Sequence, residues 1–206
     1  MLHWLIIAVV HFIKVYEDLL VQLSSIGEFE FIRRFAMTGS QRGLKSIVGI
    51  GDDCAVFPVT KKRSLLVTTD LLTEGIHFRQ STIAAQDLGY KSLAVSLSDI
   101  AAMGGKPLYA FLSIALPKDQ SLSWVKSFFN GLHSLCAQYN VALLGGDTSG
   151  SKGPIFISVT LVGEAHPQNI KLRSEAKPGD IICVTDYLGD SGAGLLKCDN
   201  PSYTSL

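Results

Sequence analysis

The helical period over residues 86–103 constrains this chain more than any other stretch. Leu88, Leu93, Leu97, Ile100 and Ala101 supply its apolar faces, and Gly104-Gly105 marks its end. It is long enough to be a real helix, and it carries Asp99 where its surroundings are apolar. Residues 121–139 form a second amphipathic period, with Trp124, Phe128, Leu132 and Leu135 at helical spacing. Strand signals surround the two. Residues 64–69 read as a buried strand ending at Asp70, and residues 108–116 as a strand closed by Pro117. Residues 141–144 read as a strand running into Gly145-Gly146-Asp147-Thr148. Residues 155–162 form another, and 180–185 the start of a further one. Residues 54–59 look extended after the turn Gly51-Asp52-Asp53, and residues 28–36 suggest a short helix. Mixed strands and helices predict an α/β (α+β) layout.

Composition closes off several alternatives. Of 206 residues, 47% are hydrophobic and 17% charged, so the chain can bury a core and is not a disordered polyelectrolyte. Eighteen basic against eighteen acidic residues leave no excess to hold a nucleic-acid backbone. Cys54, Cys136, Cys183 and Cys198 are widely spaced with no C-x-x-C pair, which fits free thiols in a reducing, cytoplasmic setting. The apolar run over 4–13 contains His11 and is about half the ~20 residues a spanning helix needs. It lacks the flanks of a signal peptide. Residues 3–23 therefore read as an apolar helix or an extension, and no membrane partner is expected.

The chemical signal lies in the aspartates. Asp52 and Asp53 follow Gly-Ile-Gly, Asp70 follows Val-Thr-Thr, Asp99 lies inside a helix, and Asp147 follows Gly-Gly. Singly, each reads as a turn or cap residue. An interior helical aspartate gains little from propensity, so Asp99 fits that reading least. Together, carboxylates at strand ends point into the crevice where α/β sheets bind ligands. Converging carboxylates need cations between them, and hard oxygen donors select Mg²⁺ alongside phosphates. Glycines nearby let backbone N–H groups approach phosphate oxygens. No Walker motif occurs.

These residues fall in ordered blocks. Gly27-Glu-Phe-Glu30, Gly49-Ile-Gly-Asp-Asp53, Thr68-Thr-Asp70, Glu74-Gly-Ile-His-Phe78 and Leu97-Ser-Asp-Ile-Ala-Ala-Met-Gly104 come first. Leu144-Gly-Gly-Asp-Thr148, Leu172-Arg-Ser174, Lys177-Pro-Gly-Asp180 and Leu188-Gly-Asp-Ser191 follow. Over about residues 27–196 the chain resembles the thiamine-monophosphate kinase family, within the aminoimidazole ribonucleotide synthetase-like superfamily. The resemblance implies an N-terminal domain with a mixed sheet flanked by helices over 26–165, after an extension over 1–25, and the start of a second α/β domain over 166–206. It implies ATP-dependent phosphorylation of thiamine phosphate to thiamine diphosphate by direct, Mg²⁺-assisted transfer in a homodimer. By the same resemblance Asp53, Thr68, Thr69, Asp70, Asp99 and Asp147 would hold several Mg²⁺ ions, with Asp53 preferred over Asp52. Gly146, Asp147 and Arg173 would meet ATP, and His77 would meet thiamine phosphate. Members of the family have a further domain supplying another Ser-Asp segment and an acidic residue near the thiamine ring. The alternatives are an incomplete fragment or dimerisation module of that family, with activity near the detection limit, and another ATP-using member of the superfamily.

Overall fold

A computed structural model describes residues 25–37, 47–184 and 187–199. Most of the expected extension over 1–25 and the tail from 200 lie outside these residues. The chain divides into two compact units, residues 1–45 and 46–206. In the first, helix α1 (Glu28–Phe31) continues into a π-helical turn over Ile32–Ala36. Glu30 accepts hydrogen bonds from Arg33 and Arg34, which hold its carboxyl well below the usual carboxylate range.

The second unit is a five-stranded mixed sheet with two long helices. Its elements are β1 (Ala55–Thr60), β2 (Arg63–Thr73), α2 (Ala85–Ala102), β3 (Lys106–Pro117), α3 (Leu122–Tyr139), β4 (Ala142–Ser151) and β5 (Phe156–Ala165). A last helix, α4, spans Asp190–Asp199. The strand order is β1-β2-β5-β3-β4. All neighbours are antiparallel except β3 and β4, which run parallel and are joined through α3. That is the connection a parallel pair requires, because a tight turn cannot reverse the chain twice.

Alternation along β5 decides which face is covered. Ile157, Val159 and Leu161 are buried, while the residues between them are partly exposed. Leu66 and Leu72 of β2, with Leu112 and Ile114 of β3, join them beneath α2, whose Leu88, Leu93 and Ile100 point inward. Each such burial is worth roughly 1.5–3 kcal/mol. The helix α3 closes on α2 through two glycines. A Cβ on Gly89 would lie 1.9 Å from the Phe128 carbonyl oxygen, and one on Gly131 would lie 1.7 Å from that of Gln86. Any side chain there would force the two backbones apart.

Three strand readings change. The strand β2 does not stop at Asp70 but pairs with β5 from Ser64↔Ala165 to Thr73↔Phe156, which places Asp70 in mid-strand. Likewise Gly145-Gly146-Asp147-Thr148 lies inside β4, since each residue has a partner on β3. Residues 180–184 form no strand: they pair with none of the five strands, and Ile181 and Ile182 are exposed to solvent.

Candidate active site

The period-two geometry of β2 and the helical geometry of α2 place the site. Thr68 and Asp70 share the face of β2 that looks toward α2. Ser92, Ser96 and Asp99 follow one another at spacings of four and three, so they form a polar stripe along the otherwise apolar inner face of α2. The pairing is direct. Thr68 Oγ1 donates to Asp99 Oδ2 at 2.5 Å, and Ser96 Oγ donates to Asp70 Oδ2 at 2.7 Å. Both hydroxyls belong to buried residues, whereas the carboxylates are half-buried.

Asp52 and Asp53 arrive from the loop before β1. The side chains of this pair are both tied to Arg173: its backbone N–H donates to Asp52 Oδ1 at 2.8 Å, and its guanidinium donates to Asp53 Oδ1. Arg173 opens a short 3₁₀ turn beyond β5, so the segment after the sheet folds back onto the loop before it.

Electrostatics shows that these carboxylates share one neighbourhood. Burial pushes the Asp99 carboxyl above its ordinary range; Thr68 opposes that shift, and the charges of Asp70 and Asp53 reinforce it. Cys54, buried between them, is pushed up to about 12 by burial and by the charges of Asp99, Asp53, Asp70 and Asp52. A thiol raised this far is protonated at neutral pH. Arg173 gains basicity chiefly from its bond to Asp53. Among the described residues, no three such groups close around a point as a ready-made metal cage. An open set of oxygen donors still suits Mg²⁺, which keeps several waters and takes phosphate oxygens as ligands.

The other expected ligands stand apart. Thr69 lies on the opposite face of β2 and meets Thr160 Oγ1 across the strand at 3.0 Å. Asp147 is exposed on β4, opposite Ser113 of β3. With β5 and β3 between them, β4 and β2 are separated by three inter-strand spacings, about 14 Å. Gly146 beside it has φ 145°, and a Cβ there would lie 1.6 Å from the Leu112 carbonyl oxygen.

His77 lies past the end of β2, in the loop closed by Glu74. Its Nδ1 accepts the Thr73 N–H at 3.0 Å, which puts the imidazole proton on Nε2 when the ring is neutral. Lys91 Nζ donates to the His77 carbonyl at 2.8 Å. A cavity of about 590 Å³ opens here, lined among others by His77, Phe78, Arg79, Lys91 and Leu195. Glu74 fixes the loop: its carboxylate accepts from the Ile155 N–H and from Gln80, both at 2.9 Å.

Sequence reasoning assigned no role to Ser96, Glu74 or Cys54. The serine had a visible signal, because three polar residues at helical spacing inside an apolar helix need buried partners. The partners of Glu74 are a backbone N–H and an amide, and no local pattern announces them.

A mixed sheet covered by two helices, with carboxylates gathered between β2 and α2, defines a class that the comparisons identify. Residues 51–165 match the model of the AIR synthase related protein N-terminal domain, and the chain belongs to that family. Its curated relatives include thiamine-monophosphate kinases, as the ordered blocks had implied. That of Buchnera aphidicola subsp. Schizaphis graminum is 44% identical over 168 residues, covering 82% of this chain and 51% of the relative. That of Bacillus subtilis is 40% identical over 162 residues, 77% of this chain and 50% of the relative. The solved structure of AaThiL complexed with AMPPCP and TMP superposes with a TM-score of 0.77 at 36% identity, covering 89% of this chain and 57% of that one. The chain thus spans about half the length of the curated relatives it matches. Among the described residues no helix is long and apolar enough to cross a membrane, and the four cysteines are free.

Proposed function

We propose that this chain serves the ATP-dependent phosphorylation of thiamine phosphate to thiamine diphosphate. The observation that carries the reading is the carboxylate group Asp53, Asp70 and Asp99, braced by Thr68 and Ser96. Like charges held this close in a half-buried place are costly without a cation, and their donors are the hard oxygens that Mg²⁺ prefers. Asp53, Asp70 and Asp99 would hold Mg²⁺, with Thr68 keeping Asp99 in orientation. Bound Mg²⁺ neutralises and aligns two polyanions that otherwise repel.

The chain's own residues do the rest by position. A phosphate oxygen of the acceptor is already anionic at neutral pH, so no general base is required. The Nε2–H of His77 is a donor for the acceptor phosphate, in a cavity that also has Arg79 and Lys91 on its wall. Arg173 is the cation for nucleotide phosphates, which compete with Asp53 for its guanidinium. Gly146 and Asp147 would be a separate nucleotide-binding element on β4, where the exposed Asp147 carboxylate follows a glycine packed against the backbone of β3.

A homodimer belongs to this reading. Leu71, Phe111 and Phe156 stand exposed on the sheet face away from α2, and a second copy would cover them. A cytoplasmic setting, and residues 166–206 as the start of a second domain, complete it. The test is calorimetric titration of AMPPCP with and without Mg²⁺, followed by thiamine phosphate. Nucleotide binding that requires Mg²⁺ and is lost in Asp70→Asn and Asp99→Asn is expected. Full binding by both variants removes the carboxylates from the site. Preference for another phosphate acceptor over thiamine phosphate would assign the chain to a different reaction of the superfamily.

A further inference from the structure

At the opposite end of β2 from the carboxylates lies a recess of about 500 Å³ with the reverse chemistry. Its walls include Lys62 in the β1–β2 turn, Arg63 at the start of β2, Lys106 at the start of β3, and Glu164, His166 and Asn169 at and beyond the end of β5. Arg63 precedes Asp70 by seven residues along the strand, about 23 Å. The two places are therefore distinct.

Three cations face one carboxylate here, in a chain whose formal charge is zero. The carboxylate is already engaged, because Arg63 Nε meets Glu164 Oε2 at 2.8 Å. That pair leaves the ammonium groups of Lys62 and Lys106 as the uncompensated charge of the recess. His166 Nδ1 accepts the Gln168 N–H at 3.3 Å, so the neutral ring carries its proton on Nε2 and is a donor there. Asn169 adds an amide. Ammonium groups on flexible stems act as point charges, and lysine binds phosphate oxygens in that way. The volume exceeds that of an inorganic ion and falls within the range of small-molecule sites.

We propose that this recess is a second anion site, one that binds a small molecule through a di- or triphosphate group without a metal. Metal independence separates it from the carboxylate site, where a polyphosphate needs Mg²⁺ to approach at all. A ligand here stands against His166 and Asn169, in the same short segment that carries Arg173 to Asp52 and Asp53.

The test is calorimetric titration of the whole chain with tripolyphosphate, diphosphate and citrate in EDTA. Saturable tripolyphosphate binding that weakens with salt is expected. The double variant Lys62→Ala/Lys106→Ala should lose affinity by about tenfold or more, since each lysine gives a charge-assisted bond. Both lysines are exposed, so circular dichroism should show an unchanged fold. Asp70→Asn and Lys126→Ala should bind as the parent chain does. The proposal is overturned by absence of saturable binding in EDTA, by equal binding in the double variant, or by citrate binding as tightly as tripolyphosphate. Binding that appears with Mg²⁺ alone and vanishes in Asp70→Asn would also overturn it, by returning the anion to the carboxylates.

Discussion

Adjacent residues of β2 and β5 meet two different environments. On one face Leu66, Leu72, Val159 and Leu161 lie under α2 and are essentially dry. On the other, Leu71 is 56% exposed, and Phe111 and Phe156 nearly 40%, around the Thr69–Thr160 pair. Both faces carry large apolar side chains, yet the chain covers one of them with its own helices. The presence of large apolar side chains alone therefore does not distinguish a finished core from an open face. The position of polar groups does. The covered face admits Thr68, Ser96, Asp70 and Asp99 as bonded pairs, because an unbonded polar group there costs about 1–3 kcal/mol.

The largest expected effect tests the covered face. Phe128 is fully buried in α3 against Trp124 and Phe129. Phe128→Ala should cost about 3–5 kcal/mol in urea denaturation. Leu71→Ala should cost less than about 1 kcal/mol in the dilute monomer, because little of its surface is buried there. Equal costs would abolish the contrast. Next in size comes association. Phe111→Asp should weaken self-association at least about tenfold in sedimentation, as the loss of a central aromatic anchor does. A chain that is monomeric at all concentrations, or a variant that associates unchanged, denies the open face its proposed partner.

How far this contrast can be read from sequence differs between helices and strands. Helix α2 was legible because five apolar residues mark its period, and α3 because Trp124, Phe128 and Leu132 do the same. The length of β2 was not. Thr68-Thr-Asp70 looks like a strand end, since aspartate is poor in strands, but ten consecutive pairs with β5 carry the ladder through it. The same override placed Gly145-Gly146-Asp147 inside β4. For the site, the ordered blocks revealed the carboxylates. That Thr68 and Thr69 part company follows from strand alternation, once the strand is known to continue.

That separation is testable through Mg²⁺ affinity, measured by titration with AMPPCP present. Thr68→Val removes the donor that orients Asp99, and groups of that kind are typically worth 10–100-fold in metal affinity, so a loss of about tenfold is expected. Thr69→Val breaks a hydroxyl pair on the other face and should change affinity by less than about twofold. A loss in Thr69→Val equal to that in Thr68→Val would bring both faces of β2 to the metal.

The smallest effect is a pH dependence within the covered face, read in EDTA. Burial, with the charges of Asp70 and Asp53 behind it, holds the Asp99 carboxyl above its ordinary value of 3.8 despite the Thr68 bond. The native state therefore keeps a proton that the unfolded chain releases, over the window from the ordinary carboxylate pKa up to the raised one. There the native state binds more protons, so the contribution of Asp99 to stability is complete below the window and falls as pH rises through it. Other carboxylates titrate in the same range, which makes the difference between two proteins the useful quantity. Asp99→Asn has no proton to lose and keeps an oxygen to accept from Thr68. Its melting temperature should draw ahead of the parent's as pH rises through the window, then hold a constant lead at neutral pH. Adding Mg²⁺ with AMPPCP should reverse the order, because the ionised carboxylate is the form that holds a cation. Parallel melting curves at all pH values in EDTA would mean that Asp99 ionises as freely as a surface carboxylate, and the repulsion invoked for metal binding would be absent.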